Sequence, residues 1–129
     1  MIIDKRSIKK KLKEYFKDKE NILFAYIFGS YVKGDFSNLS DIDIAVYLKK
    51  GEDIFESKLR LYHDLSILLK RDIDIVILNE IKSYTLLKDI LDYNILVKDS
   101  SDDSRIMFEL NKHHEIIDFK VFQEMSGVG

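Results

Sequence analysis

The sequence predicts an α/β (α+β) fold in which helices flank a small mixed sheet, and three observations support this class. Short apolar runs of strand length alternate with longer segments whose apolar residues recur at helical spacing. At 129 residues the chain has the size of one domain, so residues 1–129 are expected to form a single unit. Apolar residues make up 46% and charged residues 34%, which is the composition of a globular protein.

The N-terminal half is predicted to contain a helix followed by two strands. Apolar residues repeat at helical spacing behind Asp4, a residue type that caps helices, and this predicts a helix over about 4–18. The apolar, aromatic-rich run 21–28 is typical of a buried strand, and it stops at Gly29, where a sharp turn is expected. Residues 41–48 open with acidic and aliphatic residues in alternation, as in a strand with one solvent-facing side.

The C-terminal half continues the alternation. An apolar stripe predicts a second long helix, and alternating Ile and Asp residues predict the next strand. The elements expected here are a helix over about 52–70, a strand over 72–77, a helix over about 82–92, a short strand over 94–98 and a long helix over about 102–125. In the last helix an apolar repeat is expected to bury one side, formed by Met107, Leu110, Ile117 and Val121, and core packing and contact with a partner explain this face equally well.

Composition also excludes several classes of function. The chain has no Cys, so it has no disulfide framework, thiolate metal site or thiol nucleophile, which fits a cytoplasmic protein. No apolar run approaches the roughly 18 residues of a membrane span, so no membrane association is expected. The net charge of −2 argues against direct nucleic-acid binding. The lysines crowded into the first segment are interpreted as the solvated face of its helix.

The stretch most informative about chemistry runs from Gly29-Ser30 to Asp41-x-Asp43, with ten residues between the two motifs. Asp41 and Asp43 stand two apart on a predicted strand, so both carboxylates leave the same face and lie close together. Two unpaired anions repel each other, and a divalent cation relieves that repulsion. Carboxylate ligands suit Mg²⁺, which binds a few of them together with waters and substrate phosphates.

A third carboxylate on a neighbouring strand would complete a two-metal site, and Asp74 is the predicted residue. It opens an apolar stretch that pairs naturally beside the strand 41–48. Asp72 would share its face and is the competing residue. The flanking residues Ile73 and Ile75 favour Asp74.

Gly29 and Ser30 are predicted to bind phosphate. They stand where a strand ends and a short helix begins, so backbone amides and the Ser30 hydroxyl can point at a phosphate group. Glycine at this point lets a triphosphate approach the chain closely. Ser40, directly before the acidic pair, is grouped with them as a nucleotide-binding residue.

Taken together, these motifs resemble the signature of the DNA polymerase β nucleotidyltransferase superfamily. The matching parts are the Gly-Ser pair, the Asp-x-Asp motif and the later Ile-Asp-Ile-Val at 73–76. More closely, the chain resembles the minimal nucleotidyltransferases paired with HEPN toxins, the MNT or MntA-like antitoxins. The resemblance continues through 74–79 into 105–119. One difference is Val32-Lys33, where many relatives have a small residue followed by Arg.

The resemblance implies a polymerase β palm-like fold and a set of residue roles. Asp41 and Asp43 would ligate two Mg²⁺ ions, and Asp74 would ligate the catalytic one and help to deprotonate the acceptor. Gly29 and Ser30 would hold the β- and γ-phosphates of ATP. The implied reaction transfers AMP to a tyrosine hydroxyl of a partner HEPN ribonuclease, which silences that toxin within a hetero-oligomer.

Two other functions stay open at this stage. The chain could be a binding module, an antitoxin that neutralises its toxin by occlusion without catalysis. It could also be a free-standing small-molecule nucleotidyltransferase of the aminoglycoside type, although such enzymes usually carry an additional helical region that this sequence lacks. AMP transfer to a protein is favoured, because a partner that brings its own hydroxyl suits a chain this short.

Overall fold

Helices surround a four-stranded sheet in the computed structural model, which describes residues 4–34, 36–37, 39–100 and 102–127. The elements in chain order are α1 (Lys5–Lys17), β1 (Ile22–Phe28), α2 (Ser30–Lys33), β2 (Ile42–Leu48), α3 (Ile54–Leu69), β3 (Ile73–Ile77), a 3-10 turn (Leu78–Glu80), α4 (Tyr84–Asp92), β4 (Ile95–Asp99) and α5 (Ser104–Met125). The predicted fold class and every predicted helix and strand are confirmed. The 3-10 turn was not predicted.

The sheet is mixed, with the strand order β3-β2-β1-β4. β1 lies in the middle and pairs antiparallel with both β2 and β4, whereas β2 and β3 are parallel. This arrangement aligns Asp43 with two neighbours, Phe28 on β1 and Asp74 on β3. The end of β1 and the beginnings of β2 and β3 therefore meet at the same edge of the sheet.

Apolar side chains cover both faces of the sheet. On one face, α1 and α3 pack over alternate strand residues such as Ile44 and Ile75. On the other face, α4 and α5 pack over a second set, which includes Tyr26 and Phe28. Because side chains alternate along a strand, Asp43 and Asp74 share the second face with α4 and α5.

Two polar side chains fix strands to their neighbours. Asn79, just after β3, accepts a hydrogen bond from the backbone N–H of Leu48 at 2.8 Å and donates one to its carbonyl at 3.0 Å. The amide of Asn79 thus replaces a strand residue at the end of β2. On β4, Lys98 donates to the carbonyl of Phe16 at 2.8 Å, which satisfies an acceptor at the C-terminal end of α1.

The prediction for the buried side of the last helix is wrong. Met107, Leu110, Ile117 and Val121 are between 45% and 57% exposed. The buried residue of α5 is instead Phe108, whose ring lies 5.5 Å from that of Phe24 and 5.2 Å from that of Tyr47.

The error has a physical cause. The helix carries more than one apolar stripe, and the aromatic residues of β1 and β2, which the spacing within α5 does not encode, decide which stripe is buried.

Although α5 has 22 residues, it is too polar to cross a membrane, and no other helix in the described ranges is long and apolar enough to do so.

Candidate active site

The turn at Gly29 joins the central strand to a short helix. β1 ends at Phe28 and α2 begins at Ser30, so Gly29 alone makes the connection. Its φ of 74° and ψ of −147° lie in a region that is essentially restricted to glycine. The carbonyl of Gly29 accepts hydrogen bonds from the backbone N–H groups of Val32 and Lys33, both at 3.0 Å. The sharp turn expected from the sequence is confirmed.

The carboxylate of Asp43 packs directly against this turn. A Cβ atom added to Gly29 would lie 2.0 Å from Oδ2 of Asp43 and 2.9 Å from its Cγ. The Asp43 side chain therefore fills the space that any side chain at position 29 would need. Glycine here serves both the backbone conformation and the seating of the carboxylate.

Asp43 lies at the centre of an acidic cluster. Asp74 occupies the register position beside it on β3, and Asp41 lies two residues earlier, directly before β2. Burial, followed by the negative charges of Asp74, Asp41 and Asp89, raises the pKa of Asp43 to about 6. Such a carboxylate is costly to ionise unless a cation compensates it.

Asp74 lies on β3, and the competing Asp72 directly precedes that strand. Of these two carboxylates, Asp74 is the one whose charge raises the pKa of Asp43. Its charge is the largest electrostatic contribution to the raised pKa of Asp43, and Asp72 is not among the causes. Asp72 is exposed, and its carbonyl accepts the hydrogen bond of the Ile42 N–H at 3.1 Å, which opens the β2–β3 ladder. Asp74 is thus the neighbour of Asp43 in the structure, and its role as a metal ligand stays a prediction.

The structure adds Asp89 on α4, which sequence reasoning missed. Its carboxylate lies 2.5 Å from Nζ of Lys33, so a salt bridge joins α4 to α2 beside the cluster. The same ammonium lies 5.4 Å from the centre of the Tyr93 ring. No sequence signal marks Asp89, because an Asp on the polar side of an amphipathic helix is ordinary.

Ser40 is engaged in the loop before Asp41. Its hydroxyl accepts a hydrogen bond from the backbone N–H of Ser37 at 3.0 Å. Arg71, also missed from the sequence, donates to the carbonyls of Ser37 and Ser40 at 3.0 and 3.1 Å, and its guanidinium stacks 4.5 Å from the centre of the Phe36 ring. Both contacts fix residues that lead into Asp41, which directly precedes β2.

The donor chemistry of the cluster fits Mg²⁺, because hard carboxylate oxygens are the ligands that this ion prefers. Within the described part of the chain, no three acidic, His or Cys side chains already stand close enough to enclose a metal. Asp41 and Asp74 are exposed at the surface, so packing does not prevent their side chains from turning towards Asp43. The histidines are elsewhere: His63, His113 and His114 are exposed on α3 and α5.

Comparison with known proteins places this arrangement in a class. The fold and the acidic turn are those of a nucleotidyltransferase domain, and the family described as polymerase beta, nucleotidyltransferase matches residues 10–103. This span contains the Gly29 turn and all three predicted carboxylates. The chain belongs to this family.

Three individual relatives share between 20% and 35% sequence identity with this chain over the aligned residues. A putative protein adenylyltransferase of Methanocaldococcus jannaschii is 35% identical over 71 residues, which cover 55% of this chain and 73% of that protein. A toxin–antitoxin structure with AMP-PNP contains a chain of the same fold, with a TM-score of 0.74 and 23% identity over 91% of this chain and 93% of that one.

A tri-AMPylated Shewanella oneidensis HEPN toxin in complex with an MNT antitoxin matches with a TM-score of 0.70 and 20% identity, over 95% of this chain and 94% of that one. At these identities the two solved structures establish a shared fold.

Proposed function

We propose that this chain is a Mg²⁺-dependent protein adenylyltransferase, which transfers AMP from ATP to a tyrosine hydroxyl of a partner HEPN ribonuclease toxin and thereby neutralises it. The observation that carries the proposal is the seating of Asp43. Its carboxylate rests against the side-chain-free Gly29 and has a raised pKa because of burial and neighbouring carboxylates. A site of this kind gains most from a cation and a phosphate group arriving together.

The proposed metal ligands are the three clustered carboxylates. Asp41 and Asp43 would hold two Mg²⁺ ions, and Asp74 would share one of them on the acceptor side. Bound Mg²⁺ would polarise the α-phosphate and offset the charge of the leaving pyrophosphate. Asp74, on the outer strand, is proposed to orient the acceptor hydroxyl and receive its proton.

The transfer step is an in-line displacement. The acceptor oxygen forms a bond to the α-phosphorus of ATP, and the bond from that phosphorus to the oxygen bridging it to the β-phosphate breaks. Pyrophosphate leaves, and the hydroxyl proton passes to the carboxylate. Positioning by the chain supplies much of the rate in such a reaction.

The proposed nucleotide-binding residues are those of the turn. Gly29 is proposed to contact the triphosphate through its backbone, because the space that a side chain would need there is filled by the Asp43 carboxylate. Ser30 opens α2, so its backbone N–H is one of the donors that the helix itself does not use. Ser40 is proposed to contribute its hydroxyl, whose oxygen accepts a solvent-exposed hydrogen bond from the Ser37 N–H.

Several findings support a HEPN toxin as the partner. The fold is shared, over nearly the whole length of both chains, with a structure in which a HEPN toxin is AMPylated and bound to an MNT antitoxin. The Methanocaldococcus relative is named for transfer of adenylyl groups to protein. We propose that residues 1–129 act as a single cytoplasmic domain within a hetero-oligomer, without direct contact to nucleic acid or membrane.

The test is mass spectrometry of the HEPN protein encoded beside this chain after incubation with the chain, ATP and Mg²⁺. We expect mass gains in steps of one AMP, located on a tyrosine. The Asp41→Asn/Asp43→Asn variant should give none, and Asp118→Asn, which changes an exposed carboxylate on α5, should behave as wild type. Transfer that persists in the double variant would refute the two-metal assignment.

A second candidate function is neutralisation by occlusion, favoured by the exposed apolar residues along α5. Exposed apolar surface of this extent is typical of interaction sites. The same experiment separates the two functions. No mass gain with the wild-type chain, together with inhibition of the ribonuclease by a stable complex, would favour occlusion over transfer.

A further inference from the structure

β3 has an open edge beside the carboxylate cluster. In the described part of the chain this strand is the last of the sheet and pairs only with β2. The N–H of Ile42 donates to the carbonyl of Asp72, and a parallel ladder alternates its bonds along the strand. The N–H and C=O groups of Asp74 are thus directed to β2. Those of Ile73 and Ile75 are directed outwards, where another strand could pair with them.

A groove with apolar walls runs along this edge. It has a volume of about 620 Å³, and β3 contributes Ile73, Asp74 and Ile75 to its lining. The opposite wall is α3, whose apolar residues recur at helical spacing. Three of them are at least 48% exposed: Phe55, Leu59 and Tyr62. These residues belong to the apolar stripe that predicts α3, yet the core leaves them uncovered.

The groove and the carboxylates lie on opposite faces of the same strand. Ile73 and Ile75 pack with α3, whereas Asp74 faces the side of Asp43. An extended segment added to the edge of β3 would likewise alternate its side chains. One residue would point towards the carboxylates, and the residues before and after it would point into the groove.

From this geometry we propose that the groove is the docking site for the protein acceptor. The occupant is an extended segment of the HEPN partner that pairs with the outer edge of β3. Its modified tyrosine faces Asp74, and its two flanking residues are apolar and fill the groove between β3 and α3. Strand addition of this kind combines main-chain hydrogen bonds with pockets for alternate side chains. The inference rests on the proposed function and specifies how the acceptor is recognised.

Continuity with the proposed catalytic residue selects this occupant. Asp74 borders the groove, and its side chain, on the other face of β3, is the carboxylate assigned to the acceptor hydroxyl. The charged residues of the lining are Lys58, Asp74 and Glu80, so the groove has one basic and two acidic side chains and does not favour a strongly acidic ligand. An apolar segment that presents one hydroxyl residue is complementary to such a site.

The test compares Leu59→Ser with Ile67→Ser. Both residues are exposed positions on α3, at 55% and 65%, but Ile67 does not line the groove. Initial rates of AMP transfer are measured against increasing concentrations of the HEPN protein encoded beside this chain. Leu59→Ser should raise the KM for that protein about tenfold, the effect of losing one buried leucine contact. Its KM for Mg–ATP and the behaviour of Ile67→Ser should match wild type.

Hydrogen exchange gives a readout that does not depend on catalysis. Binding of the partner should slow exchange of the Ile75 amide, because that N–H becomes hydrogen-bonded. Equal KM values for Leu59→Ser and Ile67→Ser, or unchanged exchange at Ile75, would overturn the docking site while leaving the proposed function intact. Pairing of two copies through β3 in the absence of partner would also overturn it. Absence of transfer by the wild-type chain would instead refute the proposed function.

Discussion

Replacing Gly29 by alanine tests the link between the turn and the acidic cluster. The added Cβ would lie 2.0 Å from Oδ2 of Asp43, a separation that real Cβ atoms do not adopt. The carboxylate must move away by about 1 Å to relieve the contact, and a misplacement of that size at a catalytic group costs about a hundredfold in rate. The backbone angles of Gly29 add a strain of about 1–3 kcal/mol for any other residue.

The variant should therefore lose both stability and activity, and a control separates the two. Gly51→Ala changes another glycine of positive φ, 95°, but its Cβ would meet nothing within 4 Å. We expect both variants to melt a few degrees below wild type. Only Gly29→Ala should reduce AMP transfer to the HEPN partner by about a hundredfold.

The assay is the initial rate of AMP transfer, measured well below both melting temperatures, with Mg²⁺ binding followed by calorimetry. If Gly29→Ala transferred AMP at the rate of Gly51→Ala, the carboxylate would not depend on the turn, and the reasoning would be refuted.

Two further predictions concern the carboxylates. Because the pKa of Asp43 is raised to about 6 in the folded chain, native Asp43 keeps its proton at a pH where the unfolded chain has lost it, and stability falls as pH rises from about 4 through 6. In EDTA, Asp43→Asn should accordingly be more stable than wild type at pH 7.5 by about 1 kcal/mol, a value that allows for the partial exposure of Asp43. At pH 4 the two proteins should have equal free energies of unfolding, as measured by urea denaturation. A constant difference in stability across this pH range would contradict the raised pKa. Asp74→Asn should lower the rate of AMP transfer at least a hundredfold, about the effect of losing a catalytic proton acceptor. Asp72→Asn should lower it less than threefold, about the effect of losing a solvated surface charge. Equal losses of rate would reject the choice of Asp74 over Asp72.

The order of the elements was predictable because each one carries a local signal. The alternation of acidic and aliphatic residues at 41–48 and the apolar run 21–28 both have the period of a strand. Gly29 marked the turn since few other residues tolerate it. The predicted neighbourhood of Asp43 and Asp74 followed from pairing two similar strands, and the parallel register confirms it.

What the sequence could not supply depends on contacts between distant elements. Asp89 reaches the cluster because α4 packs across the sheet, and Arg71 reaches the carbonyls of Ser37 and Ser40 because α3 ends near them. The burial of Phe108 rather than Met107 follows from the ring of Phe24 lying beneath it. Each of these positions depends on the surface against which a helix or strand packs. The period of the apolar residues within one element does not specify that surface.

The position of Asp74 opposite Asp43 also depends on a residue at the far end of the same two strands. Asn79 grips both backbone groups of Leu48, five positions beyond Asp43, just as it follows Asp74 by five. A slip of one residue between β2 and β3 would break this grip and send Asp74 to the opposite face. The spacing of the carboxylates thus depends on a contact about 17 Å away. We therefore expect position 79 to tolerate as few substitutions as the residues of the site, although Asn79 takes no part in the chemistry of the site.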